Sequence, residues 1–176
     1  IWGIKKGYRI LTVGKFKICK NYKLLFDAFS RLDCLDMKLM LVGSGSLEEE
    51  MKEECDSLDI SDRVIFAGFQ NNPFLFYETA DLFVLTSDYE GFANVLVDAL
   101  ASGVRVVSTD CKYGPAEILK NGKCGTLVPV NDVENLKLAI EHSLTKKNHD
   151  ADVLKKRAQE FCPKIVADKY LRLLFP

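Results

Sequence analysis

Six short apolar segments alternate along this chain with longer segments of helical periodicity, and glycine or polar residues end most of the apolar segments. Strands that alternate with helices fold as βαβ units, whose parallel strands form a sheet covered by helices on both faces. Strands are predicted at 9–13, 38–42, 64–67, 82–85, 105–108 and 126–128, and helices at 21–32, 47–58, 73–79, 93–102, 115–119, 133–144, 151–160 and 163–174. The pattern therefore predicts an α/β fold with a doubly wound, Rossmann-like parallel sheet of about six strands.

Length, composition and net charge indicate a single domain and argue against nucleic acid as a partner. The 176 residues correspond to one domain, and 48% of them are hydrophobic, which is enough for a sizeable core. The net charge of −1 argues against a nucleic-acid partner, which usually requires a basic surface. The absence of an initiating Met before Ile1 leads us to expect a piece of a longer protein.

The cysteines indicate a compartment rather than a site. None of the six forms a C-x-x-C pair or lies at zinc-ligand spacing from a histidine. They occur among apolar positions: Cys19, Cys34, Cys55, Cys111, Cys124 and Cys162. We therefore expect reduced thiols in a cytoplasmic protein without a metal site. No apolar run is long enough to predict a membrane-spanning helix.

The segment 87–103 holds two carboxylates around the start of a strongly apolar helix. Glu90 precedes the turn, and Asp98 stands where the helical pattern expects core. Burying a lone charge costs several kcal/mol unless a partner compensates it. Asp98 shares a helix face with Asn94, and its carboxylate is suited to two vicinal hydroxyl groups. Two acids at the start of one helix indicate a binding site.

Ligands of open parallel sheets bind outside the carboxyl ends of the strands. The first such loop, GKFKICK at 14–20, carries three lysines, which suit a phosphate, although a solvated basic loop is the alternative. At 91–94, the sequence GFAN leaves backbone N–H groups free at a helix start that has no acid in its first turn. Such a terminus attracts anions. The two loops together predict an anion-binding site.

The segment GSGS at 43–46 follows a strand and opens a helix, as a dinucleotide-binding loop does. However, the third glycine of that fingerprint is replaced by Glu48, and acids fill the first helical turn. Ser46 with Glu49 instead predicts a capping box. The sequence therefore argues against a nicotinamide cofactor.

A series of segments matches one family in order and spacing, and their residues are 12–16 with 20–21, 41–45, 63–69, 80–85, 89–103, 114–119 and 121–129. The series resembles the C-terminal, donor-binding domain of the retaining GT-B glycosyltransferases of family 4. Their E-x7-E motif corresponds to Glu90 and Asp98. The resemblance implies one half of a GT-B fold, with residues 1–176 forming the nucleotide-sugar domain and the N-terminal acceptor domain absent from this chain.

The resemblance also implies roles for single residues. Glu90 corresponds to the first acid of the motif, a catalytic residue that lies against the donor sugar, and Asp98 to the second, which holds the ribose hydroxyls. Lys15 and Lys20 bind the diphosphate. The segment whose backbone meets sugar and phosphate corresponds to Gly91, Phe92, Ala93 and Asn94. The family usually has glutamate where this chain has Asp98, so the side chain that reaches the ribose is one methylene shorter here. The family usually has arginine where this chain has Lys15, so the positive charge is kept but the bidentate guanidinium group is lost.

The implied reaction is transfer of a hexosyl-type group from a nucleoside-diphosphate sugar to an acceptor hydroxyl, with retained configuration, in glycan or polysaccharide biosynthesis. The resemblance implies no metal or cofactor, a UDP-sugar donor, and a glycan or lipid-linked glycan as acceptor. The isolated domain is expected to bind the donor but to be inactive alone, in the cytoplasm or at a membrane surface. A nucleotide-sugar epimerase is disfavoured because neither His142 nor His149 is predicted in the cleft. A non-catalytic nucleotide-sugar binding module remains the alternative.

Overall fold

A computed structural model of the chain describes residues 1–33, 36–146 and 149–175. Its six strands form one sheet in the order β3-β2-β1-β4-β5-β6, and every neighbouring pair is parallel. The strands are β1 (Tyr8–Val13), β2 (Met37–Val42), β3 (Val64–Phe66), β4 (Leu82–Leu85), β5 (Arg105–Thr109) and β6 (Thr126–Val128). The predicted α/β fold with a six-stranded parallel sheet is confirmed.

All predicted helices are present among the described residues, with ends shifted by a few positions. They are α1 (Tyr22–Ser30), α2 (Glu48–Ser57), α3 (Phe74–Thr79), α4 (Asn94–Ser102), α5 (Pro115–Ile118), α6 (Val133–Thr145), α7 (Ala151–Gln159) and α8 (Pro163–Leu174). None of the described helices is long and apolar enough to cross a membrane.

Two apolar layers enclose the sheet. Successive strand residues point to opposite faces, so Ile10 joins the layer formed with α1, α2 and α6, whereas Leu11 joins the layer formed with α3, α4, α5 and α7. Burial of each large aliphatic side chain contributes about 1.5–3 kcal/mol. In contrast, α8 contributes no buried residue among those described.

The strand order determines where a crevice opens. From β1 the chain builds outward through β2 and β3, and it then returns to place β4 on the other side of β1. The loops that follow β1 and β4 therefore leave the sheet in opposite directions. The resulting crevice lies at the carboxyl ends of these two strands, where ligands bind in sheets of this order.

The glycines of the segment 43–46 make room for the loop that follows β1. A Cβ at Gly45 would lie 2.3 Å from the carbonyl oxygen of Phe16, and one at Gly43 would lie 1.9 Å from that of Gly14. The Phe16 amide donates to the Ser44 carbonyl at 3.0 Å. These glycines therefore serve close backbone packing against the loop that follows β1.

The predicted capping box at Ser46 is wrong. The first helical residue of α2 is Glu48, and its N-cap is Leu47, whose side chain makes no capping hydrogen bond among the described residues. The Glu48 amide donates to the Gly45 carbonyl at 3.3 Å, so Ser46 lies inside a turn that precedes the helix rather than at its N-cap. Three acids in the first turn, Glu48, Glu49 and Glu50, interact favourably with the helix dipole instead.

Candidate active site

The lysine loop after β1 is anchored by one buried aromatic ring. Phe16 is 1% exposed and packs edge-on against Tyr22 and Phe66, with ring centroids 5.5 and 6.1 Å apart. Lys15 and Lys17, on either side of this inward ring, are exposed and line the crevice. The loop ends in a 3-10 turn at Ile18–Lys20. The anchor thus keeps the lysines on the open side of the loop.

Lys20 and Glu90 form an ion pair at the base of the crevice. The Lys20 Nζ lies 2.6 Å from Glu90 Oε1, and the two side chains are 18% and 12% exposed. The same carboxylate oxygen accepts a hydrogen bond from Ser87 Oγ at 2.7 Å. Ser87 is fully buried, and its carbonyl accepts from Thr109 Oγ1 at 2.6 Å. The Glu90 carboxylate is therefore held by two charge-assisted bonds.

Asn21 joins the loops that surround this ion pair. Its Nδ2 donates to Asp88 Oδ1 and to Asn131 Oδ1, both at 2.7 Å. Its Oδ1 accepts from the Leu24 amide at 3.2 Å and so caps α1. Asn21 adopts a left-handed conformation with φ 46°. One side chain thereby connects the loops after β1, β4 and β6.

The amino terminus of α4 faces the same crevice. The first turn of α4 has no acid, and no side chain among the described residues caps it. Backbone N–H groups and the helix dipole therefore give this end a partial positive charge. The cleft has a volume of about 400 Å³, and its walls include Lys15, Lys17, Lys20, Glu90, Gly91, Phe92, Ala93 and Asn94.

Asp98 lies one turn further along α4 and does not line this cleft. It is half-buried rather than in the core, and burial raises the pKa of its carboxyl above the ordinary value. Burial and the nearby Asp98 charge together raise the pKa of Tyr77. Within the described parts of the chain, Asp98 forms no ion pair. No cation from the described ranges therefore pairs with its charge.

The structure therefore brings all of the predicted site residues except Asp98 to one cleft. Lys17, one of the three loop lysines predicted to suit a phosphate, also lines it. Tyr89 lines it without having been predicted, and the supporting contacts of Ser87 and Asn131 were not predicted either. The spacing of Lys17 from the apolar Phe16 is a local signal for its orientation. The contact of Asn131 with Asn21 has no local signal, because the fold alone brings these residues together.

The histidines lie away from the ion pair, whereas Cys19 lines the cleft beside it and Cys55, Cys111 and Cys124 are buried. His142 and His149 are exposed and line a separate cavity near the amino ends of β5 and β6. The described cysteines are free; burial raises the pKa of Cys111 to about 11, and Glu90 adds to this effect. Cys34 lies outside the described residues. The described residues contain no cluster of three metal-ligating side chains.

Residues 2–161 match the family described as "Glycosyl transferases group 1". This chain belongs to that family. Its relatives include the N-acetylgalactosamine-N,N'-diacetylbacillosaminyl-diphospho-undecaprenol 4-alpha-N-acetylgalactosaminyltransferase of Campylobacter jejuni, 34% identical over 94% of this chain and 46% of that protein. The lipopolysaccharide core biosynthesis glycosyltransferase LpsE of Rhizobium meliloti is 31% identical over 94% of this chain and 49% of its own length.

The apo structure of the lipopolysaccharide outer core galactosyltransferase WaaB has the same fold. It superposes with a TM-score of 0.88 at 25% identity, over 97% of this chain and 50% of that one. This group 1 glycosyltransferase chain therefore spans about half the length of the curated relatives it matches, at 46% and 49%.

Proposed function

We propose that this chain is the nucleotide-sugar-binding half of a retaining glycosyltransferase of glycan or polysaccharide biosynthesis. The complete protein transfers a glycosyl group from a nucleoside-diphosphate sugar to an acceptor hydroxyl. The observation that carries the proposal is the placement of Lys15, Lys20 and Glu90 around the amino terminus of α4, at the switch point of the sheet. The resemblance to the E-x7-E glycosyltransferases supports the same assignment.

The main chemical task is to stabilise the leaving diphosphate. Lys15, Lys20 and the amino terminus of α4 line one cleft, so the developing negative charge meets positive charge there. Lys20 has three N–H donors and gives one to Glu90, which leaves donors for phosphate oxygens. This arrangement acts without a metal ion in our proposal.

In this proposal the sugar, the diphosphate and the ribose of the donor lie in that order along the direction of α4. Glu90 precedes the helix and orients the sugar through its hydroxyl groups, and the diphosphate lies at residues 91–94. Asp98 lies roughly 6 Å further along α4 than Asn94, at 1.5 Å per residue. Its half-buried carboxylate, which has no protein cation among the described residues, is available to the two ribose hydroxyls.

The names of the relatives support the substrate class. The Campylobacter relative is an N-acetylgalactosaminyltransferase for an undecaprenyl-diphosphate-linked glycan, and WaaB is a galactosyltransferase of the lipopolysaccharide core. We therefore assign a hexose or N-acetylhexosamine as the donor sugar and a glycan or lipid-linked glycan as acceptor, and the family resemblance adds uridine as the base of the donor. A second domain of the full-length protein holds the acceptor, so this half binds the donor and is inactive alone.

Replacing Glu90 tests the catalytic assignment. In the full-length protein, Glu90→Gln keeps the size of the side chain but removes the charge beside the sugar. We expect turnover to fall at least about tenfold while UDP affinity stays within about twofold. Steady-state transfer rates and calorimetry measure the two quantities.

Two results would contradict the proposal in different ways. Unchanged turnover in Glu90→Gln would remove Glu90 from the reaction. Nucleotide binding by a wild-type full-length protein that transfers no sugar to any glycan acceptor would favour the non-catalytic binding module.

A further inference from the structure

Phe92 forms a wall between two cavities. On one side it lines the cleft of the proposed donor, and on the other it lines a cavity of about 770 Å³ whose remaining walls come mainly from α7, α8 and the turn between them. Its ring packs against Phe161 of that turn, with centroids 5.6 Å apart and ring planes at 63°. Phe161 is thus the aromatic contact of Phe92 on the side away from the donor.

Arg157 of α7 holds Phe161 in place. It is only 9% exposed, and its guanidinium carbon lies 4.4 Å from the centre of the Phe161 ring. Its Nε donates to the Ile118 carbonyl at 2.9 Å, and its Nη2 donates to the Glu117 carbonyl. These carbonyls end α5, where the helix dipole favours a cation. The buried charge is therefore compensated by two backbone oxygens and by the Glu160 carboxylate, which accepts from Nη1.

The same arginine reaches the donor loop by a second route. Gly114 precedes α5 with φ +88°, and a Cβ there would lie 3.4 Å from the Ala93 amide nitrogen and 3.7 Å from the Gly91 carbonyl. The start of α5 therefore packs directly against the backbone of 91–93, while Arg157 holds its end. Both routes lead from α7 to the loop that begins α4.

We propose that Arg157 and Phe161 are positioning residues for donor binding, acting through Phe92 and the backbone of 91–93. They fix the loop in the conformation that presents its N–H groups to the donor diphosphate and sugar. This inference rests on the proposed function. It assigns a binding role to the turn between α7 and α8, which lies outside the lysine loop and the two acids.

The test compares two identical substitutions in this chain. Phe161→Leu removes the ring that supports Phe92. Phe76→Leu, in α3, removes an equally half-buried ring from the same apolar layer without touching Phe92. We expect Phe161→Leu to weaken UDP binding about three- to tenfold, Phe76→Leu to change it less than about twofold, and Phe161→Tyr to restore it. Calorimetry measures affinity, and melting curves show that both variants fold.

A double substitution shows whether the effect passes through Phe92. In a Phe92→Leu background, Phe161→Leu is expected to weaken UDP binding no further. Equal affinities in Phe161→Leu and Phe76→Leu, or additive effects in the double variant, would overturn this inference and leave the proposed function intact. Failure of the wild-type chain to bind UDP, GDP or ADP would contradict the proposed function itself, and this inference with it.

Discussion

Partial burial disfavours the charged form of Asp98 and so raises its pKa, and no cation among the described residues pairs with the carboxylate. The native state then holds a proton more readily than the unfolded chain does. Stability falls as pH rises from the ordinary carboxyl pKa through the raised one, and the loss persists at neutral pH. A carboxylate that lowers stability at neutral pH is consistent with a role in binding rather than in folding.

The first prediction follows from that cost. Asp98→Asn is expected to raise the melting temperature at pH 7, and the gain is expected to vanish near about pH 3, where both side chains are neutral. The same variant is expected to bind UDP about tenfold more weakly, because charge-assisted bonds to ribose are lost. Melting curves across pH and calorimetry measure both effects. A lower melting temperature at pH 7, or unchanged affinity, would count against this account of Asp98.

Lys20 is the cation most deeply placed in the cleft, with a side chain 18% exposed. Lys20→Met is expected to weaken UDP binding at least about tenfold and to reduce the dependence of affinity on salt. Lys23→Met is a suitable control, because Lys23 is 70% exposed on α1 and pairs with Glu54 outside the cleft. If calorimetry gave the two variants equal affinities, the diphosphate would not lie at Lys20.

At the scale of elements, the loops at the carboxyl edge of the sheet depend on close backbone contact. Gly45→Ala would place a Cβ 2.3 Å from the Phe16 carbonyl oxygen, so the lysine loop must move. We expect a loss of about 1–3 kcal/mol of stability. Gly91→Ala is the matched control, because a Cβ there meets nothing within 4 Å. Denaturant unfolding of both variants checks this, and equal stabilities would contradict the packing argument.

Local pattern was sufficient to predict the elements but not their supporting contacts. Alternation of apolar runs and helical periods predicts all six strands, because buried parallel strands must be apolar on both faces. The capping box at Ser46 failed because a turn from Gly45 to Glu48 precedes α2 and shifts its N-cap to Leu47. The helical pattern predicted a core position for Asp98, but only part of the surface of α4 is buried, so Asp98 is half-buried. Arg157 gave no sequence signal, since its carbonyl partners belong to α5.

At the scale of the whole molecule, the candidate site is a product of topology. Lys20 and Glu90 are 70 positions apart, yet they meet because β1 and β4 are neighbours in the sheet. Periodicity alone does not predict that adjacency, whereas the family resemblance does, because the family's motifs imply a known strand order. This is why the predicted site residues other than Asp98 converge although no local pattern joins them.

The central claim is that this chain binds a nucleoside diphosphate at the cleft between the lysine loop and α4. Titration of the chain with UDP, GDP and ADP by calorimetry tests it most directly. We expect UDP to bind with a Kd below about 1 mM, and more weakly as salt screens the lysines. If none of the three nucleotides bound at millimolar concentration, the assignment of this half as the donor domain would be contradicted.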